Sequence, residues 1–269
     1  MIQLVAFDID GTLLNDNHEL VPSTKAALDQ LHEKGIEIVI NSGRPYSGVE
    51  PIVEKIGARR VRYASCFNGG LVLDLTTNDV LYQAALDAKD LADVANFALD
   101  QAVDVHTYAE KNIVLLDTPR YRYAEMEAEI VHMGVSVRDF INDPKDLSPT
   151  KMMITADPDR IVEVMEVLPK DFYTRFEIMR SAPYFLEFTP KNVNKGNGLM
   201  QLSEKTGIPQ NCIMAFGDNE NDIAMLKWAG VGIAMGNAID SVKAMADSVT
   251  LDNNHDGIAE SLMTYVFND

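Results

Sequence analysis

Short apolar runs, each broken off by a polar or glycine-rich loop, alternate with helical segments at both ends of this chain, and that rhythm admits few folds. Ile2 to Phe7 is almost continuously apolar and stops at Asp8, the mark of a strand covered on both faces. Ser23 is placed to cap a helix carrying Ala26, Ala27, Leu28 and Leu31, which Gly35 ends. Ile36 to Ile40 predicts a second strand, and Pro45 opens a helix running to Gly57. Val61 to Phe67 predicts a third strand. The turn signal Asn68-Gly69-Gly70 follows it, then a hairpin of Leu71–Leu75 and Val80–Gln83. The alternation resumes near the end: helix Gly198–Lys205, strand Cys212–Phe216, helix Asp222–Ala229, strand Val231–Ala234, helix Ser241–Ala246 and a last helix from Asp256. Repeated βα units require a Rossmann-like, doubly wound parallel sheet with helices on both faces.

The middle of the chain keeps a different rhythm. Helices are expected near Asp87–Ala102, Pro119–Met133 and Asp157–Leu168. Strand-like segments lie between them at Val103–Tyr108, Ile113–Leu116, Lys151–Thr155, Phe172–Met179 and Tyr184–Phe188. Residues 84–189 thus read as an α+β module inserted into an α/β body formed by 1–83 and 190–269. The 269-residue length suits a body plus an insert.

A net charge of -18 argues against nucleic acid and anionic membranes as partners. Any site for an anion must then be rescued locally by a cation, backbone N–H groups and a few basic side chains. The opening apolar run has no basic segment before it, and no apolar stretch approaches the ~20 residues of a membrane span. Cys66 and Cys212 read as buried thiols rather than a disulfide or metal pair. A cytoplasmic location is expected.

Four segments carry chemistry. Asp8-Ile9-Asp10-Gly11-Thr12 follows the first strand, where open parallel sheets bind their ligands. Its two-residue spacing aims both carboxylates at one site while Ile9 turns away. Gly217-Asp218-Asn219-Glu220-Asn221-Asp222 forms a second acidic loop at a strand's carboxyl end. Carboxylates so gathered repel one another unless a hard cation such as Mg²⁺ lies between them. Asn41-Ser42-Gly43-Arg44-Pro45 offers a hydroxyl and an unhindered N–H before a helix, an anion site. Lys195, in Asn194-Lys195-Gly196, supplies a positive charge. Each has an ordinary structural reading as a turn, cap or solvated lysine. Their joint placement in one βα body does not.

These motifs, in this order, resemble those of the haloacid dehalogenase superfamily. The insert resembles the α+β (C2-type) cap of its Cof-type branch, and Ser181-Ala182-Pro183-Tyr184-Phe185-Leu186-Glu187 and Ala229-Gly230-Val231-Gly232 look closest to the YidA-like sugar phosphatases. The resemblance implies a Mg²⁺-dependent phosphatase of small phosphorylated metabolites such as sugar phosphates. Asp8 is the implied nucleophile, Asp10 the acid/base and Lys195 a catalytic cation. Ile9, Ser42, Gly43, Lys195 and Asn221 are implied around the phosphate. The Asp8 and Asp218 carboxylates and the Asp10 backbone carbonyl are the implied metal ligands, with Asp222 orienting a bound water. Asp10 also separates this chain from dehalogenating branches, which lack a second aspartate. Arg44, Tyr46, Lys151, Arg180 and Tyr184 are candidates for contacting the leaving group. A monomer or homodimer is expected. A phosphomutase, or a sensor of phosphorylated metabolites that retains the fold, are the alternatives.

Other signals point elsewhere. Asp252-x-Asn254-x-Asp256-Gly257 imitates a calcium loop, yet Met263 stands where the bidentate Glu is needed, so a turn with Asp256 capping the last helix is expected. His18, His32, His106, His132 and His255 share no metal-ligand spacing.

Overall fold

The computed structural model describes residues 1–109, 112–116, 122–145 and 147–268. It divides into two compact units, Met1–Gln83 with Asn194–Asp269, and Ala84–Val193.

The first unit opens with β1 (Leu4–Phe7), β2 (Glu37–Asn41) and β3 (Tyr63–Cys66), followed by β4 (Leu71–Asp74) and β5 (Asp79–Gln83). The second contains β6 (Asp104–Ala109), β7 (Asn112–Leu115), β8 (Gly134–Val137), β9 (Met152–Thr155), β10 (Phe176–Ala182) and β11 (Phe185–Pro190). The first unit is completed by β12 (Ile213–Gly217), β13 (Val231–Ala234) and β14 (Ser248–Val249). Its sheet runs β14-β13-β12-β1-β2-β3-β4-β5. From β14 to β3 every pairing is parallel, and the hairpin β4–β5 adds an antiparallel edge. All four residues of β1 are buried, as a central strand covered on both faces requires. Leu4 and Ala6 pack with Val39, Leu199, Ile213 and Ala215 in one core, while Phe7 stacks on Phe216 across β12, ring centroids 5.2 Å apart. The carboxyl ends of β1, β2 and β12 therefore lie side by side, and Asp8, Ser42 and Asp218 follow them.

The helix Pro22–Glu33 starts differently from expectation. Val21 is its N-cap and Pro22 fills the first turn, where a missing N–H costs nothing. Ser23 sits inside the helix, and its hydroxyl donates to Asp256 at 2.6 Å. Asp256, at the start of the helix Gly257–Leu262, makes no side-chain cap, so that expectation also fails. The helix Lys195–Thr206 is longer than expected, because the Asn194 side chain caps it by accepting from Asn197 N at 2.9 Å.

The second unit has its own sheet, ordered β10-β11-β9-β6-β7-β8. One face packs Val105, Ile154, Leu186 and Phe188 against Leu91, Val94, Ile161 and Val164 from the helices Ala88–Asp100 and Pro158–Glu166. Phe172–Arg175, expected as strand, is a helical turn that buries Phe172 edge-on against Phe176 and Phe188. The helix expected from Pro119 is seen from Arg122 to Ile130, and its expected start lies outside the described residues. Cys66 is buried and Cys212 half-buried, and both are free. Among the described residues no helix is long and apolar enough to cross a membrane.

Candidate active site

Asp8 follows β1 and is 8% exposed. The Lys195 ammonium, wholly buried at the start of its helix, donates to Asp8 Oδ1 and, at 2.6 Å, to Asp222 Oδ1. The other Asp222 oxygen accepts from the backbone N–H groups of Asp218 and Asn219, at 2.9 and 3.0 Å. Asp222 is therefore fully engaged by donors, and it shapes the loop after β12 while anchoring the lysine. Asp218 accepts from the Thr12 hydroxyl at 2.7 Å through Oδ1. Gly11 takes φ +76°, and a Cβ there would sit 2.5 Å from Asp218 Oδ2, so only glycine lets the two acidic loops approach.

Carboxylate oxygens of Asp8, Asp218 and Asp222 can lie within 4.8 Å of one another. Lys195 claims one oxygen of Asp8 and Thr12 one of Asp218. Among the described residues no donor claims the second oxygen of either. Two converging hard oxygens with unclaimed lone pairs suit a divalent cation such as Mg²⁺. The Asp10 carboxylate stands apart from this trio: Arg44 holds both of its oxygens at 2.9 and 2.7 Å.

Burial dominates the electrostatics. It pushes the Asp8 carboxyl up to about 7, against the pull of Lys195, and the Asp218 carboxyl up to about 6. Lys195 is itself costly to bury, but Asp8 and Asp222 hold its ammonium above the usual lysine range. Acids raised on folding give stability that is fully present below pH about 4 and is lost as pH rises through 6 and 7. The metal-free protein should therefore melt at lower temperature at pH 8 than at pH 5. Saturating Mg²⁺ should raise the melting temperature more at pH 8, by roughly 5–10 °C if the ion is at ~100 times its Kd. Thermal melts with EDTA or Mg²⁺ at both pH values check this, and an equal shift at each pH would contradict it.

The remaining expected residues fall in two groups. Ser42, Gly43, Arg44 and Tyr46 lie at or just beyond the carboxyl end of β2, with Ser42 N bonded to Ser65 O at 2.8 Å. Ile9 is buried, and its carbonyl accepts from Leu14 N at 3.0 Å. Asn221 donates to Asn68 at 3.1 Å. Lys151, Arg180 and Tyr184 belong to the second unit. Lys151 is buried there against Glu187 at 3.1 Å and lies 4.8 Å over the Tyr108 ring. Arg180 donates to the Pro183 and Pro158 carbonyls, and Tyr184 stacks on Tyr123. His106 is fully buried in that unit, and burial pushes its ring down to about 3, keeping it neutral.

Sequence reasoning missed three contributors. Thr12 claims Asp218, and Asn41 donates to the Lys195 carbonyl at 3.0 Å, fastening β2 to the lysine's helix. Asn68 joins the loops after β2, β3 and β12. The available signal was position: each follows or ends a strand in the same sheet.

A doubly wound sheet with converging acidic loops at its carboxyl ends and a buried lysine among them is the arrangement of an enzyme that handles phosphoryl groups. Residues 5–262 match the haloacid dehalogenase-like hydrolase family, and the chain belongs to it. It is 33% identical over 97% of both chains to YxeH of Bacillus subtilis, named as a candidate phosphatase. It is 30% identical to the 5-amino-6-(5-phospho-D-ribitylamino)uracil phosphatase YcsE of the same organism, covering 98% of this chain and 96% of that one. Among solved structures, a haloacid dehalogenase-like hydrolase from Bacteroides thetaiotaomicron aligns with TM-score 0.87 at 30% identity, covering 98% and 99% of the two chains. The subclass IIB sugar phosphatase BT4131 aligns with TM-score 0.80 at 28% identity over 98% of each. The protein is a phosphatase of this family.

Proposed function

We propose that the protein is a Mg²⁺-dependent phosphatase that hydrolyses small phosphorylated metabolites, sugar phosphates foremost, through a phosphorylated Asp8. One observation carries the reading. The buried Lys195 holds the Asp8 carboxylate in a fixed orientation through Oδ1, with lone pairs left on the carboxylate for a cation and for attack on phosphorus. The sugar-phosphate class is supported by the likeness to BT4131 and to YcsE, whose substrates are a sugar phosphate and a phosphorylated ribityl compound by name.

In the first step an Asp8 carboxylate oxygen attacks phosphorus, and the bond to the leaving alkoxide breaks. Asp10 gives that oxygen its proton, which requires it to turn from Arg44. In the second step Asp10 takes a proton from water, whose oxygen attacks phosphorus and releases Asp8 and inorganic phosphate. Lys195, Ser42 and the Gly43 N–H hold the phosphoryl oxygens in both steps, with Asn221 beside them. When bound, Mg²⁺ screens phosphate from the Asp8 and Asp218 carboxylates and polarises the phosphoryl group. Asp222 keeps Lys195 and the Asp218 loop in place. Arg44, Tyr46, Lys151, Arg180 and Tyr184 remain the proposed leaving-group contacts, and a soluble cytoplasmic metabolite is the proposed partner.

The test is release of inorganic phosphate from a panel of hexose, pentose and nucleoside phosphates. At least one sugar phosphate should be hydrolysed with Mg²⁺ and none with EDTA. An isomerised sugar phosphate in place of free phosphate would make the protein a mutase. No release from any ester would end the reading.

A further inference from the structure

The turn after β3 takes the left-handed backbone of a tight hairpin turn, with Gly69 N donating to Cys66 O at 3.0 Å. Phe67 and Asn68 take φ +52° and +54°, and Gly69 follows at +88°. Asparagine adopts this backbone readily, whereas a left-handed phenylalanine is uncommon and persists only where its surroundings hold it. Those surroundings are the site loops. Phe67 N donates to Arg44 O at 3.0 Å and Asn68 N to Ser42 O at 2.9 Å. Gly69 packs on the start of the Lys195 helix so closely that a Cβ there would lie 2.4 Å from Asn194 O.

The turn delivers the Asn68 carboxamide to a defined place. Its Oδ1 accepts from Asn221 at 3.1 Å. Its carboxamide lies over Gly43, where a Cβ would stand 3.1 Å from Oδ1 and 3.3 Å from Nδ2. The residue is only 8% exposed, yet Nδ2 finds no acceptor among the described residues. Nor is that nitrogen among the sealed, unbonded atoms of the interior. A nearly buried N–H donor left open beside Ser42 and Gly43 calls for an acceptor from a ligand.

We infer that Asn68 is a substrate-contacting residue whose Nδ2 donates to a phosphoryl oxygen held at the Ser42–Gly43 turn. Asn221, bonded to Oδ1, fixes which end of the carboxamide faces the phosphate. The inference rests on the proposed phosphate position at Ser42 and Gly43, so its test carries a control for that position.

Asn68→Gly, Asn68→Asp and Ser42→Ala are compared with the wild type, using p-nitrophenyl phosphate as substrate and inorganic phosphate as inhibitor. Asn68→Gly removes the donor and keeps the left-handed turn accessible. It should melt within about 3 °C of wild type yet lose roughly 10²-fold in kcat/KM and bind phosphate roughly tenfold more weakly. Asn68→Asp keeps the shape but turns a carboxylate on the phosphate, so its loss should be larger, and it stands as the measure if the glycine variant fails to fold. If Ser42→Ala is impaired while Asn68→Gly stays within about threefold of wild type in activity and phosphate binding, Asn68 is a turn residue and the inference is overturned. A lower kcat with unchanged phosphate binding also overturns it. Full activity in Ser42→Ala would instead remove the phosphate position itself, and the Asn68 contact with it.

Discussion

Replacing Asp8 with asparagine is expected to lower phosphate release by roughly 10⁴-fold or more, the scale seen when a covalent nucleophile is lost. Asparagine keeps the shape and can still accept from Lys195, but its carboxamide oxygen is a poor nucleophile and forms no stable acyl phosphate. Lys195 retains Asp222 at 2.6 Å, so the buried cation is not stranded and the fold should survive. The variant carries a second signature. Burial raises the Asp8 carboxyl to about 7, so ionising it costs the metal-free wild type stability as pH rises from about 4 through 7. Asp8→Asn has no such group, and its melting temperature should gain on the wild type with rising pH. Steady-state kinetics and EDTA melts between pH 5 and 8 read both effects. Activity within about tenfold of wild type would exclude Asp8 as nucleophile.

Replacing Lys195 with methionine should harm both activity and stability. The side chain is 0% exposed, and its ammonium is the counter-charge for Asp8 and for the wholly buried Asp222. Removing one partner from a buried ion cluster costs about 3–5 kcal/mol. At this chain length that lowers the melting temperature by roughly 6–20 °C. The deficit should shrink on acidification, because the Asp8 carboxyl, already raised by burial, can take up a proton, and it should be partly restored by Mg²⁺. Loss of a preorganised donor to the phosphoryl oxygens should cost about 10²–10³-fold in turnover. Melting curves at pH 5 and 8 with kinetics of the folded fraction measure these. A variant as stable as wild type at pH 8 would show that the Asp8–Lys195–Asp222 cluster is not the charge balance of the site.

The four motif segments were legible in the sequence because each is local. An apolar run sets a strand, its end sets where a loop begins, and a glycine or helix start tells how that loop turns. Asp8, Ser42 and Asp218 were found by this alone, together with the parallel sheet that aligns them. The failures have local causes too. Ser23 has the residue type of a cap, but Pro22 opens the helix one residue earlier and places Ser23 inside it. Phe172–Arg175 has a strand-like composition, but burial of Phe172 among Phe176 and Phe188 selects a helical turn. β8 (Gly134–Val137) does not stand out in the sequence because it is a four-residue edge strand whose two valines face solvent rather than a core.

The distribution of charge was decided only in three dimensions. Lys195 meets Asp8 across 187 positions of sequence, and Asp222 is consumed by that lysine and by the loop's own N–H groups. Asp10, two residues from Asp8, is instead held by Arg44. Asn68, a plain turn residue in the sequence, becomes a bridge between site loops once β3 lies beside β2. Periodicity along a chain encodes which backbone is buried, since that depends on near neighbours. Which carboxylate is ionised, paired or left with a free oxygen depends on desolvation and on charges brought in from distant segments, and those exist only after the chain has folded.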